Sequence, residues 1–431
     1  MTLTWGFRNR LRRFFRSSMW VVPAISTLAA FVCSPLTRML DRSFRFQLLY
    51  FSDEGVRALA GIVSSAMLSC IVFFFSVLLL TVQLASSTLS PRIIARPFRS
   101  RILKTALGLF VFSFIYSVAL VARGTEGNIG QLAAALVVVL TLVSICVFLY
   151  VVEQVSKQLR PATVIADVAS EGLAVISTVY PKMLENSLVE AESSEVLPGT
   201  PTQVIRHEDS PGVVQAVDYD YLLATAIGAG CTIEVVPQVG DFVATGDPVF
   251  HLYGEVAIDC QELLDHVLLD RERTLEQDPA FAFRIIVDIA LKALSPAIND
   301  PTTAVLALDQ IHNLLRQVGR RQLNTGLVCD STGQLRLVYR TPDWADFVLL
   351  ALTEIRQFGA SSTQVMRRVR AMLEDLIQAL PPGRSSALRQ ELDALTCTIT
   401  QAFAVPQDKT LAESPDSQGL GGRQSLHQKP K

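Results

Sequence analysis

The residues best spaced for chemistry lie in and just before Ile285–Ala304, which reads IIVDIALKALSPAINDPTTA. Arg284, Asp288 and Lys292 fall at i, i+4 and i+8, so one carboxylate sits between two cations on a single helix face. Such a trio is an ion ladder. Pro296 then ends the helix, and Asn299-Asp300-Pro301 starts another after a turn too short to wander. Asp300 stands where an N-cap carboxylate accepts from backbone N–H groups, and Asn299 either holds the turn or accepts a ligand. Ser295, Pro296, Asn299, Asp300 and Pro301 therefore form a tight corner, structural or ligand-contacting.

Little else in the chain is arranged for catalysis. No Ser-His-Asp order, phosphate-cradling glycine loop or HExxH is present, and Gly228-x-Gly230 lacks the third glycine and the helix of a nucleotide fingerprint. His251 and His266 are separated by a helix start and show no partnered acid, so each reads as a structural histidine. Seven cysteines occur without a CxxC pair, three of them (Cys33, Cys70 and Cys146) inside apolar runs, and the five histidines are dispersed. Neither zinc nor haem spacing results, and reduced buried thiols are expected. No catalytic, cofactor-binding or metal-ligating residue is assigned, no cofactor is expected, and an enzyme is the least favoured reading.

The elements that must position the corner begin with a membrane region. Half of the 431 residues are apolar and only 18% are charged, but the apolar runs crowd residues 19–152 while most charge follows them. The net charge of −2 averages two unlike regions and identifies no partner. Four spans are read: Met19–Leu36, Ala58–Leu84, Thr105–Ala122 and Leu132–Val152. The first follows an acid-free basic stretch, residues 1–18 with Arg8, Arg10, Arg12, Arg13 and Arg16; it reads as an uncleaved anchor because no small-x-small site precedes Arg38. The second is overlong for a hydrocarbon core of ~30 Å and should tilt or protrude, preferably at its C-terminal end.

No Asp, Glu, Lys or Arg lies inside a span, which argues against a proton-coupled transporter or a voltage sensor. Gly61, Ser65 and Ser69 recur every four residues in the second span, either a helix-packing stripe or, extended by Ser76, a pore-lining hydroxyl face. The connector Ser86–Lys104 carries Arg92, Arg96, Arg99, Arg101 and Lys104, while the Gly124–Gly130 turn carries no cation. The positive-inside rule then puts both ends of the chain in the cytoplasm. On a helical wheel Arg92, Arg96 and Arg99 share one arc and Ile94, Phe98 and Ile102 another, with Pro97 interrupting the helix, so the arginines either contact anionic headgroups or act as topology charges alone.

A juxtamembrane helix and a linker rich in Ser, Pro and acids fill 153–201. Residues 202–257 read as a small β-sandwich-like unit with turns at Ser210-Pro211-Gly212, Val239-Gly240-Asp241 and Thr245-Gly246-Asp247, and a short helix over Asp218–Ile227. The stretch VGDFVATGDPVFHLYGE resembles the hairpin of biotinyl and lipoyl carrier domains and membrane-fusion adaptors. No lysine occurs between Lys182 and Lys292, so covalent carriage is excluded and a structural or oligomerising module is left.

A helical domain over 258–404 should have helices near 260–276, 279–294, 301–318, 342–358, 361–380 and 384–403, with a β-hairpin at 326–340. Asp259 with Glu262 is a capping-box pattern, and Asp278-Pro279, Asp300-Pro301 and Thr341-Pro342 read as N-caps followed by proline. Residues 405–431 lack an apolar period and should be disordered.

Three separated motifs, VQLASSTLSPRIIARPF, VGDFVATGDPVF and LSPAINDPTTA, resemble an uncharacterised family of predicted bacterial membrane proteins, over about residues 10–400. The resemblance implies an inner-membrane protein with a multi-span N-terminal half and transfers no catalytic residue. Two functions fit these readings. One is a homo-oligomeric channel or flux pathway with a cytoplasmic regulatory portion. The other is a membrane-anchored scaffold or sensor that binds a protein or small ligand. The partners expected are the lipid bilayer, with anionic headgroups, and further copies of the chain; nucleic acid is not expected.

Overall fold

The computed structural model describes residues 18–44, 52–88, 100–123, 131–158, 160–184, 199–254 and 258–422. They fall into two compact units that divide at Arg160/Pro161.

The first unit is a bundle of α1 (Val21–Phe44), α2 (Asp53–Thr88), α3 (Arg101–Arg123) and α4 (Gln131–Gln158). All four are long and apolar enough to cross a membrane. The most closely packed is α3, which lies against each of the others and buries Leu103, Leu107, Phe110 and Tyr116 among them. Polar groups in this core pair with one another. Ser113 and Ser144 meet at 3.3 Å, and the Thr37 hydroxyl meets that of Tyr116 at 3.1 Å. Buried Asp41, at the end of α1, accepts from the Leu132 N–H at 3.2 Å and so satisfies one of the amides exposed at the start of α4.

The 36 residues of α2 make a rod of about 54 Å. Near its start Val56 packs with Leu120, Ala133 and Ala134. Phe74 and Leu78 share a surface with Leu103, close to where α3 begins, and with Val151 and Val155, close to where α4 ends. Burial along α2 continues to Thr81, after which Gln83 and Leu84 are exposed.

The second unit opens with α5 (Pro161–Val179), a fifth helix apolar enough to span a membrane by length and composition. Its apolar face, Val164, Ile165, Val168, Ala169 and Ile176, is buried on α8 (Pro279–Ala293) and α9 (Pro301–Gly319), while Asp167, Ser170, Glu171 and Thr178 are exposed. Packing within this unit accounts for its composition. Gly172 permits the approach: a Cβ there would stand 2.6 Å from that of Ala282.

Two sheets follow. The larger has the order β1 (Gln203–Arg206), β5 (Pro248–Tyr253), β3 (Thr232–Val235), β8 (Leu335–Tyr339), β7 (Leu327–Cys329), antiparallel except for the β3–β8 pair. The smaller runs β4 (Phe242–Val243), β2 (Gly212–Val217), β6 (Val267–Asp270). Both contribute to one core with α6 (Tyr219–Ala229), formed by Ile205, Val214, Leu222, Ile233, Phe250 and Leu337 among others. In the turns before β4 and β5, Gly240 (φ 97°) and Gly246 (φ 92°) adopt left-handed backbone, and Asp241 and Asp247 accept from the N–H groups of Gln238 and Ala244.

The helices α8, α9, α10 (Trp344–Phe358), α11 (Thr363–Ala379) and α12 (Ser385–Ala402) complete the unit, with α8 buried between α5, α9 and α10. Several expectations are corrected here. The helix expected over 260–276 is only α7 (Cys260–Leu264); Val267–Asp270 instead pairs with β2, because a partner strand outweighs local propensity. The 326–340 hairpin does not stand in the helical domain but extends the larger sheet, so the sheets draw strands from beyond residue 257. At α10 the cap is Asp343 in a reciprocal box with Asp346, not Thr341 before Pro342. Asp259 does cap α7, but Glu262 takes the Tyr221 hydroxyl instead of closing the box.

The tail also differs. Up to Gly422 the segment after Val405 is ordered, with α13 (Pro406–Glu413) and a strap that packs on α11. It needs no apolar period because its anchors are polar: buried Arg367 donates to the carbonyl oxygens of Ser414, Gly421 and Gly422.

Candidate functional site

In the membrane bundle, α2 buries Ala60, Val63, Met67, Phe74 and Leu78 against its neighbours. Gly61, Ser65 and Ser69 are not on that side. A Cβ on Gly61 would meet nothing within 4 Å, and Ser65, Ser69 and Ser76 are exposed. The close helix approach is made elsewhere, at Gly108 of α3, where a Cβ would stand 2.7 Å from Val22 Cγ1 and 2.8 Å from Ser26 Oγ on α1. Among the described residues, the stripe therefore packs on no helix of its own bundle. The hydroxyls of Ser65, Ser69 and Ser76 each donate to the carbonyl four residues back, at 3.0–3.2 Å, which leaves their lone pairs outward.

In the second unit the expected corner forms as a tight turn. The Asn299 N–H donates to Ser295 O and the Asp300 N–H to Ala293 O, both at 2.8 Å, while the Ser295 hydroxyl donates to Lys292 O at 2.7 Å. Asn299 is left-handed (φ 49°), a conformation asparagine tolerates better than most residues. Asp300 caps α9 fully: one oxygen takes the Thr303 N–H at 3.1 Å and the other the Thr303 hydroxyl at 2.5 Å. Pro296, Ala297, Ile298 and Asn299 are exposed, whereas Asp300 is committed to the helix, so Asn299 is the corner residue with an outward side chain.

The ion ladder is only partly formed as read. Arg284 bridges Asp288 at 2.6 Å, but its other arm reaches Glu354 of α10, also at 2.6 Å, and ties two helices together. Lys292 does not join that bridge. Arg92, Arg96 and Arg99 lie outside the described residues.

The structure also gathers groups that sequence reasoning kept apart. His251 and His266, read as lacking an acid, each have one: Glu234 at 2.9 Å across the β3–β5 pair, and Asp218 at 3.2 Å. Tyr221 stacks on His266, 3.5 Å between ring centres. The Tyr253 hydroxyl donates to Glu234 at 2.8 Å; burial, and then that carboxylate, pushes its phenol up to about 12. A larger network joins α9 and α11. His312 Nε2 lies 2.8 Å from Asp375, Arg368 donates to His312 Nδ1 at 3.2 Å, and Arg368 also bridges Asp309 at 2.7 Å. Burial holds the His312 imidazole below its usual value, against the pull of Asp375. The i, i+3 spacing of Asp309 and His312 was the available signal, but its partners lie 56 or more residues away. Among the described residues no group of three His, Cys, Asp or Glu could hold a metal ion, and all seven cysteines are free.

A bundle of apolar helices followed by an α+β unit defines a multi-span membrane protein with a substantial polar portion. The chain belongs to the family described as predicted membrane protein (DUF2254), which matches residues 16–375. It is similar to two mycobacterial proteins, Uncharacterized protein Mb1321c of Mycobacterium bovis and Uncharacterized protein Rv1290c of Mycobacterium tuberculosis. Each is 25% identical over 422 residues, covering 94% of this chain and 80% of the relative. No solved structure matches.

Proposed function

We propose that the protein is a homo-oligomeric channel or flux pathway of the bacterial inner membrane. Four helices, α1 to α4, cross the bilayer, α5 belongs to the polar portion, and both ends of the chain lie in the cytoplasm, on the side of the Arg-rich connector. The observation that carries this reading is the outward stripe of Gly61, Ser65, Ser69 and Ser76, small and hydroxylated on a helix whose other face is packed. Small side chains permit close approach by another copy, and hydroxyls that have spent their protons leave acceptor lone pairs, a lining suited to cations.

Arg92, Arg96 and Arg99 would hold the connector on anionic headgroups, and the polar portion would regulate the pathway. No catalytic step is assigned to any residue. The test is disulfide trapping of Ser65→Cys and Ser69→Cys in membranes, with conductance of the purified protein in bilayers. Cross-linked assemblies of four or more copies that conduct support the reading; a monomer silent under tension and voltage overturns it.

A second reading, a scaffold or sensor, rests on the exposed corner Pro296–Asn299. It predicts that the full-length protein captures a partner that Asn299→Lys releases, with no conductance.

A further inference from the structure

One end of the second unit leaves apolar side chains in the open. The turn after α8 exposes Ile298, the end of α10 exposes Phe358, and the strap exposes Leu420; they are 38%, 59% and 78% accessible. The three segments are neighbours. A Cβ on Gly359 would stand 3.4 Å from Leu294 Cδ1, one on Gly419 would stand 2.5 Å from Val305 Cγ1, and the Gln364 side chain donates to Gly419 O at 2.6 Å. This end is also uncharged: residues 296–299, 357–361 and 417–422 include no Asp, Glu, Lys or Arg. The adjoining carboxylates are turned inward, Asp300 onto Thr303 and Asp416 onto the N–H groups of Gly419 and Gly421. An exposed apolar patch of this kind marks an interaction surface, and it offers no charge to steer a protein partner.

The course of α5 identifies what the patch meets. Its buried face runs from Val164 to Ile176 along α8 and α9, with Gly172 set against Ala282 and Leu314. Arg321, just past the end of α9, donates to Tyr180 O, just past the end of α5, at 2.6 Å. The two helices therefore end together, and α5 begins where α9 begins, at the uncharged end. Only Leu159 and Arg160 separate Pro161 from α4, so about 11 Å of chain at most joins this end to an apolar helix long enough to cross a membrane. We propose that this end of the second unit seats on the bilayer surface, with Ile298, Phe358 and Leu420 inserted at the boundary of headgroups and acyl chains. The proposal rests on the reading that α4 crosses the bilayer, and it needs neither an oligomer nor conductance.

Photocross-linking of the full-length protein tests it, in vesicles of phosphatidylethanolamine and phosphatidylglycerol. The probe is p-benzoylphenylalanine, which inserts into nearby C–H bonds, placed singly at Phe358, Val139 or Phe242. Val139 is exposed on α4 and reports whether that helix meets lipid. Phe242 is exposed just after Gly240, which lies against Arg273, the partner of the α8 cap Asp278, and so marks the opposite end of α8. Mass spectrometry should find phospholipid adducts at Phe358 and Val139 and none at Phe242.

Ile298→Asp should lower the lipid adduct at Phe358 about fivefold, the effect of one charge near an anionic surface, while Ile298→Leu should keep it. A lipid adduct at Val139 with none at Phe358 overturns the proposal alone. So does an adduct at Phe358 to a second copy or another protein, or labelling of Phe242 as strong as that of Phe358. Absence of lipid adducts at both Val139 and Phe358 overturns the membrane reading of α4 and the proposal with it.

Discussion

The guanidinium of Arg367 and the carboxylate of Asp416 lie 4.0 Å apart, each side chain 2% exposed, and both mainly organise backbone. Asp416 accepts from the N–H groups of Gln418, Gly419 and Gly421, while Arg367 donates to three carbonyl oxygens of the same strap. Each charge is thus buried with three hydrogen-bond partners as well as an opposite charge nearby, the condition under which burial is tolerated. Arg367→Met should strip the strap of its donors and cost about 3 kcal/mol. Hydrogen exchange of the full-length protein should then show residues 405–422 opening while α8 stays protected.

The two membrane glycines should behave oppositely. Gly108→Val drives a side chain into Val22 and Ser26 and should destabilise the bundle by about 1–3 kcal/mol. Gly61→Val enters open space and should leave bundle stability within about 0.5 kcal/mol, shifting only the oligomer population if copies meet there. Thermal unfolding and size measurements in detergent separate the two effects.

His312 makes stability depend on pH in a known direction. Its folded pKa is depressed, chiefly by burial, so the neutral ring is the form the fold favours. That contribution is present above the unfolded value of ~6.5 and is lost as pH falls through the lower folded value. A protonated ring would also lose the Nδ1 lone pair that accepts from Arg368. Melting temperature should drop between pH 7 and pH 5, and His312→Gln should flatten that slope while starting lower at pH 7.

The corner residue Asn299 gives a backbone test. Its left-handed φ means that Asn299→Gly should be nearly neutral, whereas Asn299→Val should cost about 1–2 kcal/mol. Chemical denaturation of the full-length chain in detergent checks the pair.

How legible this was depended on how local the cause was. The N-caps Asp259, Asp278 and Asp300 act within three residues of themselves, and each was readable from its neighbours. The Gly-Asp turns at 240–241 and 246–247 were readable for the same reason. What was misread depended on distant partners. Val267–Asp270 becomes a strand because β2 lies beside it, and the hairpin joins a sheet because β3 offers a parallel edge. Ionic partners followed the same division. Arg284–Asp288 was visible at i, i+4, but Glu354 was not, and neither were the acids beside His251 and His266. The small-residue stripe was found at the right spacing, but spacing alone does not say which helix face looks inward, and the close contact fell to the single Gly108.

The end of α2 beyond Thr81 would serve the protein as a depth gauge. The buried positions of α2 run on to Thr81, so a change in local bilayer thickness would be registered along the helix beyond them. With a rise of ~1.5 Å per residue, each small thinning of that leaflet carries one more position across the boundary between hydrocarbon and water. Thr81 is buried, so the first exposed polar mark on this scale is Gln83. Thick and thin membranes would therefore wet different graduations of the same rod, and labels along Leu79–Leu84 would read the thickness of the bilayer around the protein.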